Sequence, residues 1–432
     1  MRLIIEVWVL AGLGRIRRLI VEHHRWRGSC INLIASENIT SPAVRETLAS
    51  DFGHRYAEGE PYKRLYEGTR FFDDVEASAL RLAKSLFKAE YVNIKPLSGC
   101  MANLAVFYAL TSPGDTIMCL SVPSGGHISY MDFGGAGVRG LKVEYIPFDS
   151  EEMTIDLDEA LDRARKVKPK VFMLGGSVFL FPHPVREFRE LAEELGSYVV
   201  YDAAHVLGLM AGGVFQDPLR EGADVVPSST HKTFPGPQGG IILSNRLDLA
   251  ESLSKAVFPG LTSNHHLHRV AALTIAQLEM KRYGRAYARS MVRNAKALAE
   301  ALHEEGFQVL CEHKGFTESH QVLVDVSKLG GGRKVASMLE RANIVCNRNP
   351  LPWDRLEDTH NPSGIRLGTP EVTRLGMGPS EMRQIAEYMR QVVIEGKPPE
   401  RVAKEVSRFM RQYQRVKYCL EEGPAYKPPK IR

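Results

Sequence analysis

Residues 170–202 read KVFMLGGSVFLFPHPVREFRELAEELGSYVVYD, and this stretch decides the fold. Lys170–Leu174 is an apolar run of strand length. Val185–Leu195 has a helical pattern that Gly196 stops, and Tyr198–Tyr201 is a second apolar run. Neither run alternates between apolar and polar residues. Continuous runs are expected where both faces of a parallel sheet are covered, so the unit reads as strand, helix, parallel strand. The pattern extends both ways from there. Upstream, residues 73–90 predict an amphipathic helix with Val75, Ala79, Leu82 and Leu86 on one face. Tyr91–Ile94, Thr116–Leu120 and Val143–Phe148 predict strands, and Leu157–Val167 a helix. Downstream, Ala223–Val226 and Gly240–Leu243 are further strand-length runs. A helical stretch from Leu267 to about Glu305 follows, then Gln321–Val326 (strand), Arg333–Arg341 (helix), Ile344–Cys346 (strand), Ser380–Val393 (helix) and a charged helix over Pro398–Tyr418. The expected class is α/β: a large domain with a mostly parallel sheet and a smaller α+β C-terminal domain. The expected division is 1–45 for an N-terminal arm, 46–285 for the large domain and 286–432 for the small one.

The chain has 432 residues, 44% hydrophobic and 25% charged, which excludes a disordered or fibrous protein. Its net charge of +5 (56 basic minus 51 acidic residues) is spread along the chain and does not argue for nucleic acid. Six cysteines, with no CxxC pair, form neither a zinc ribbon nor a disulfide scaffold, and they fit a reducing compartment. The apolar run Leu3–Gly14 carries Glu6, is followed by Arg15, Arg17 and Arg18, and lacks a small-residue cleavage site. It predicts a helix docked on the protein, and the expected location is cytoplasmic.

The chemistry centres on Ser229-Thr230-His231-Lys232-Thr233, a polar turn after an apolar strand. A lone lysine is usually a solvated charge. At the end of a buried strand, desolvation lowers its pKa and frees the amine as a nucleophile toward a carbonyl. Asp202 ends the strand Tyr198–Tyr201, at the carboxyl edge where parallel sheets bind ligands; by itself it could equally be a helix cap. A lysine and an acid so arranged suit an aldehyde cofactor with a pyridine ring. The amine takes the aldehyde, and the acid keeps the ring nitrogen protonated. Ser98-Gly99-Cys100 opens a helix whose free N–H groups suit a phosphate. Residues 121–140 hold six glycines, which read equally as a flexible loop or as backbone kept bare for a ligand. His265, His266 and His268 have no Cys, Asp or Glu near them in sequence to complete a metal set, so no metal is expected.

Six motifs occur in an order that resembles the serine hydroxymethyltransferase family, pyridoxal 5'-phosphate (PLP) enzymes of one-carbon metabolism. They are Asn32-Leu33-Ile34-Ala35-Ser36-Glu37-Asn38, Tyr56-Ala57-Glu58-Gly59, Gly125-Gly126-His127, Asp202-Ala203-Ala204-His205, Thr230-His231-Lys232-Thr233 and Ser363-Gly364-Ile365-Arg366-Leu367-Gly368-Thr369-Pro370. The resemblance runs from about residue 30 to about 415. Gly59-Glu60-Pro61-Tyr62 and Ser263-Asn264-His265-His266 look most like its archaeal branch. It implies the aspartate-aminotransferase type of fold (PLP fold type I) and conversion of L-serine and a tetrahydropterin, folate or methanopterin-type, to glycine and the methylene-pterin.

The same resemblance implies roles for single residues. Lys232 holds PLP covalently, Asp202 pairs with the ring nitrogen and His127 stacks on the ring. Ser98, Gly99 and Cys100 bind the phosphate, with Gly260 adding a contact from the neighbouring subunit. Ser177, His205, Ser229 and His231 also belong to the cofactor site. Arg366 clamps the amino-acid carboxylate, helped by Ser36. Glu58 moves the proton on the serine hydroxyl. Tyr56, Glu58 and Tyr66 reach in from the partner of a homodimer, and Asn349, Val122 and Gly126 touch the pterin. Three departures stand out: Leu65 where the bacterial pattern has a second tyrosine, Ser229 for a threonine, and Cys100 for a Ser or Thr. None removes a required group. Two other readings remain open. One is a pterin-independent PLP aldolase acting on threonine or other 3-hydroxy amino acids. The other is a non-catalytic protein contacting RNA through the basic segments 15–27 and 427–432.

Overall fold

A computed structural model describes residues 2–428, so the basic segment at 427–432 lies mostly outside the described residues. A seven-stranded sheet forms from β1 (Tyr91–Asn93), β2 (Thr116–Cys119), β3 (Lys142–Tyr145), β4 (Val171–Gly175), β5 (Tyr198–Asp202), β6 (Val225–Ser229) and β7 (Gly240–Ser244). Its order is β1-β7-β6-β5-β4-β2-β3, parallel except for β7, which runs antiparallel to both neighbours. β4 is buried along its whole length, as its unbroken apolar run requires, and β6 is equally buried although it ends in Pro227-Ser228-Ser229. β3 stops short of the expected Phe148. Pro147 cannot donate to the ladder, and Phe148–Asp149 turns away to pair with Thr154–Ile155.

A four-stranded antiparallel sheet follows: β8 (Gln308–Val309), β9 (Gln321–Asp325), β10 (Asn347–Asn349) and β11 (Gly364–Gly368), in the order β8-β9-β11-β10. Ile344–Val345 stays out of this sheet and pairs in parallel with Ile31–Asn32 instead, which ties the N-terminal segment to the C-terminal part. The 38-residue helix Leu267–Glu304 joins the two sheets. Its residues up to Met291 pack with the core of the large sheet, and those from Ala295 on pack with the core of the small one. The boundary expected at 285/286 falls inside it.

Three expectations need correction. The helix α1 (Arg2–Arg27) forms; among its described side chains Leu13, Ile16, Leu19 and Ile20 are exposed and the last turns dock, where Trp26 Nε1 donates to Asn343 Oδ1 at 3.2 Å, while the side chains of Leu3–Leu10 lie outside the described ones. The C-terminal helix ends at Met410, not Tyr418, because the chain turns back so that Lys417 N donates to Arg374 O. In the helix α2 (Arg70–Phe87) the buried face is Phe72, Asp73, Glu76, Ala79, Ala83 and Phe87, rotated from the apolar stripe. Two acids are buried there because they have partners. Arg64 spans Asp73 (2.8 Å) and Glu76 (2.7 Å), and His265 Nε2 lies 2.8 Å from Glu76. Burial opposes charge on Glu76, but the hydrogen bond and positive charge of His265, with Lys95 and Arg64, outweigh it and hold the carboxyl at about 2. His265 therefore belongs to an ion network, and among the described residues no cluster suits a metal. No described helix is long and apolar enough to cross a membrane.

Candidate active site

The carboxyl ends of the parallel strands open into a cavity of about 920 Å³. Asp202 is the last residue of β5. Its Oδ2 accepts from Tyr130 Oη (2.7 Å) and Asn103 Nδ2 (2.8 Å), and its Oδ1 accepts from Ala204 N (2.8 Å). Every one of these donors is aimed at a carboxylate, so the buried acid is fixed in place. β6 ends at Ser229, and the turn beyond it presents Lys232. Thr230 closes this turn by donating to Pro237 O at 2.7 Å, and Thr233 Oγ1 donates to His205 O at 2.8 Å. Burial pushes the Lys232 amine down to about 8; Asp202 opposes this and Arg366 adds to it.

The helix α3 (Gly99–Leu110) points its start into the same cavity, capped by Ser98 Oγ, which accepts from Met101 N at 3.1 Å. Gly99 packs tightly against β6: a Cβ there would stand 3.1 Å from Ser229 N, closer than an ordinary van der Waals contact. Cys100 and Ser229 complete this bare end. His127 follows β2 on a loop where Gly126 is far more constrained, since a Cβ would lie 2.0 Å from Leu120 O. The glycines of this loop thus serve close packing of the chain on itself. Ser129 N donates to His127 Nδ1 (3.1 Å), and burial, together with Lys232 and Arg366, lowers the His127 pKa against the pull of Asp202. The ring is therefore neutral, with its proton on Nε2.

Arg366, on β11, reaches across from the small sheet and is 7% exposed. Its Nη1 donates to Ser177 O at 2.6 Å and its Nε to Asn347 Oδ1 at 3.3 Å, yet it has no carboxylate partner among the described residues. A buried guanidinium without an anion is costly, and the cavity wall is where an anion would meet it. Ser36, Ser177, His205 and His231 line the same space.

The chain does not bring every expected residue here. The rings of Tyr56 and Tyr66 lie 5.1 Å apart, tilted at 52°, on a loop outside the cavity, 43% and 45% exposed, with Glu58 between them in sequence. Arg64 Nη1 clamps that loop at Gly59 O (2.7 Å), and Lys95 Nζ holds the same carbonyl (3.0 Å). Gly260 packs near Tyr108, and Asn349 is buried at the end of β10 with its amide donating to Pro350 O. Val122 and Gly126 do not line the cavity; Val122 packs against the core of the large sheet and Gly126 directly precedes His127. Sequence reasoning missed Asn103 and Tyr130. Asn103 had a faint signal, one helical turn after Gly99; Tyr130, three residues after His127, had none beyond its proximity.

These groups fit PLP. Lys232 is an amine with a lowered pKa, Asp202 is a fixed carboxylate, and the start of α3 is kept bare by Gly99. His231 Nδ1 beside them is buried without a partner. Fold and site together define a PLP enzyme of fold type I. The family model "Serine hydroxymethyltransferase" matches residues 15–389. A serine hydroxymethyltransferase of Methanopyrus kandleri is 61% identical over 414 residues, covering 96% of each chain. That of Pyrococcus furiosus is 53% identical over 414 residues, covering 95% of this chain and 97% of its own. The solved L-threonine transaldolase of Pseudomonas fluorescens superimposes with a TM-score of 0.87 at 27% identity, covering 96% of this chain and 95% of that one. The chain belongs to the serine hydroxymethyltransferase family.

Proposed function

We propose that this protein interconverts L-serine and glycine, passing the one-carbon unit to or from a tetrahydropterin. The observation that carries the reading is the convergence of Lys232, Asp202, His127 and the anion-seeking Arg366 on one cavity. Bound PLP supplies an electron sink for negative charge on the substrate Cα. The chain's residues supply the rest. Lys232 would hold the cofactor, and its amine, at about 8, is available near neutral pH where an ordinary lysine is not. Asp202 would keep the ring nitrogen protonated, its carboxylate oriented by Asn103 and Tyr130. Ser98, Gly99, Cys100, Ser229 and His231 would surround the phosphate, and the neutral His127 would cover the ring and exclude water. Arg366 would take the substrate carboxylate, for which its planar fork is suited.

Glu58, Tyr56 and Tyr66 complete the reading only if they serve a second chain. Their exposure on a loop anchored by Arg64 and Lys95 supports a dimer in which each subunit lends them to its partner. Val122, Gly126 and Asn349 would meet the pterin. The expected activity is cytoplasmic. A mixing experiment tests the shared site. Lys232→Ala and Glu58→Gln homodimers should each be inactive. After dissociation and random reassociation, about half of the dimers are mixed and each has one intact site, so about a quarter of wild-type activity should return. No recovery in dimers verified as mixed would mean that each chain uses its own Glu58. A pterin-independent aldolase would instead cleave serine equally well without the carrier.

A further inference from the structure

His205 follows Asp202 by three residues and borders the cavity, but what fixes its ring lies 116 residues further along the chain. Gln321 is the first residue of β9 and is fully buried. Its side-chain oxygen accepts from Phe179 N at 2.6 Å, and its side-chain nitrogen donates to Ser177 O at 3.0 Å. A backbone N–H can only donate and a backbone carbonyl can only accept. The two contacts therefore set the amide orientation without ambiguity. The second proton of the same NH₂ group faces His205 Nδ1 at 2.8 Å.

We infer that Gln321 is a positioning residue that holds His205 as a neutral imidazole with its proton on Nε2. Since the amide nitrogen can only donate, Nδ1 must accept, and the ring proton is left on Nε2. Nε2 has no protein partner among the described residues, so this N–H is a donor free for whatever occupies the cavity. Burial first, then the charges of Lys232 and Arg366, pushes the His205 pKa well down, consistent with a neutral ring. His320 stacks against it, ring centroids 5.6 Å apart at 18°, with its Nε2 3.5 Å from the same Nδ1, a longer contact than that of Gln321, and it stops the ring from swinging away. Ser177 O, which Gln321 holds, also accepts from Arg366 Nη1 at 2.6 Å. One buried amide thereby fixes the donor from the large sheet and the guanidinium from the small one relative to each other.

The consequence for turnover rests on the function proposed above; the assignment of the tautomer does not. Nitrogen NMR of the ¹⁵N-histidine-labelled protein, with His205 assigned through His205→Asn, reads the tautomer directly. The wild type should carry a single His205 form protonated at Nε2. In Gln321→Glu the side-chain oxygens can only accept, so the ring proton should move to Nδ1. In Gln321→Leu only the longer 3.5 Å contact with His320 Nε2 remains at Nδ1, so the preference should weaken and both forms should appear. In either variant kcat should fall about tenfold or more, with PLP content unchanged and a smaller change in the KM for serine. A wild-type His205 protonated at Nδ1, or an Nε2 proton retained in both variants, would overturn the inference. If the tautomer moves but the wild type does not turn over serine, the inference stands and the proposed activity falls.

Discussion

Replacing Lys232 with alanine is expected to lower serine–glycine turnover by about a thousandfold or more, because no other lysine among the described residues lines the cavity to take its place. Lys95, another buried lysine of the large domain, is committed to Glu60 at 2.5 Å and to Gly59 O at 3.0 Å. The loss should come without unfolding. Lys232 makes no ion pair among the described residues, and the bond from Asn38 Nδ2 goes to its main-chain carbonyl, which alanine keeps. Borohydride reduction followed by peptide mapping should place PLP on the peptide containing Lys232 in the wild type and nowhere in the variant. Full turnover by Lys232→Ala would remove the basis of the site assignment.

The second large effect is expected at Arg366. Its guanidinium is buried, and burial lowers its pKa to about 10, still charged at neutral pH. A substrate carboxylate entering the cavity meets this charge where little water competes. Arg366→Ala should cost about 3–4 kcal/mol in kcat/KM, roughly a few hundredfold or more, with most of the loss in the KM for serine and glycine. Arg366→Lys should recover only part, since an ammonium cannot form the paired bonds of a planar fork. Ser177 O and Asn347 each lose a donor, so thermal melts should accompany the kinetics. Near-normal kinetics in a folded Arg366→Ala protein would refute its role.

The large sheet was legible because its strands are buried on both faces, and a run such as Val171-Phe172-Met173-Leu174 leaves no other reading. β11 was not read as a strand. Gly364-Ile365-Arg366-Leu367-Gly368 has a glycine at each end and a charge in the middle, so its strand character comes from its place between β9 and β10. The buried face of α2 was misread for a related reason. Asp73 and Glu76 look like solvent positions until Arg64 and His265 are seen to meet them in space. At the site, Lys232, Asp202 and Arg366 stood out as charges beside apolar runs or within a family motif. Asn103, Tyr130 and Gln321 act only through Asp202 and His205, at separations of 99, 72 and 116 residues, and no local pattern marks them.

The visible absorption spectrum of the purified protein, recorded with glycine in the presence and absence of a tetrahydropterin, tests the central claim most directly. The account predicts a yellow protein whose glycine complex gains a strong long-wavelength band when tetrahydrofolate or a methanopterin-type carrier is added, and which of the two works identifies the carrier. A protein that stays colourless after incubation with PLP, or whose glycine complex responds to neither pterin, would contradict it.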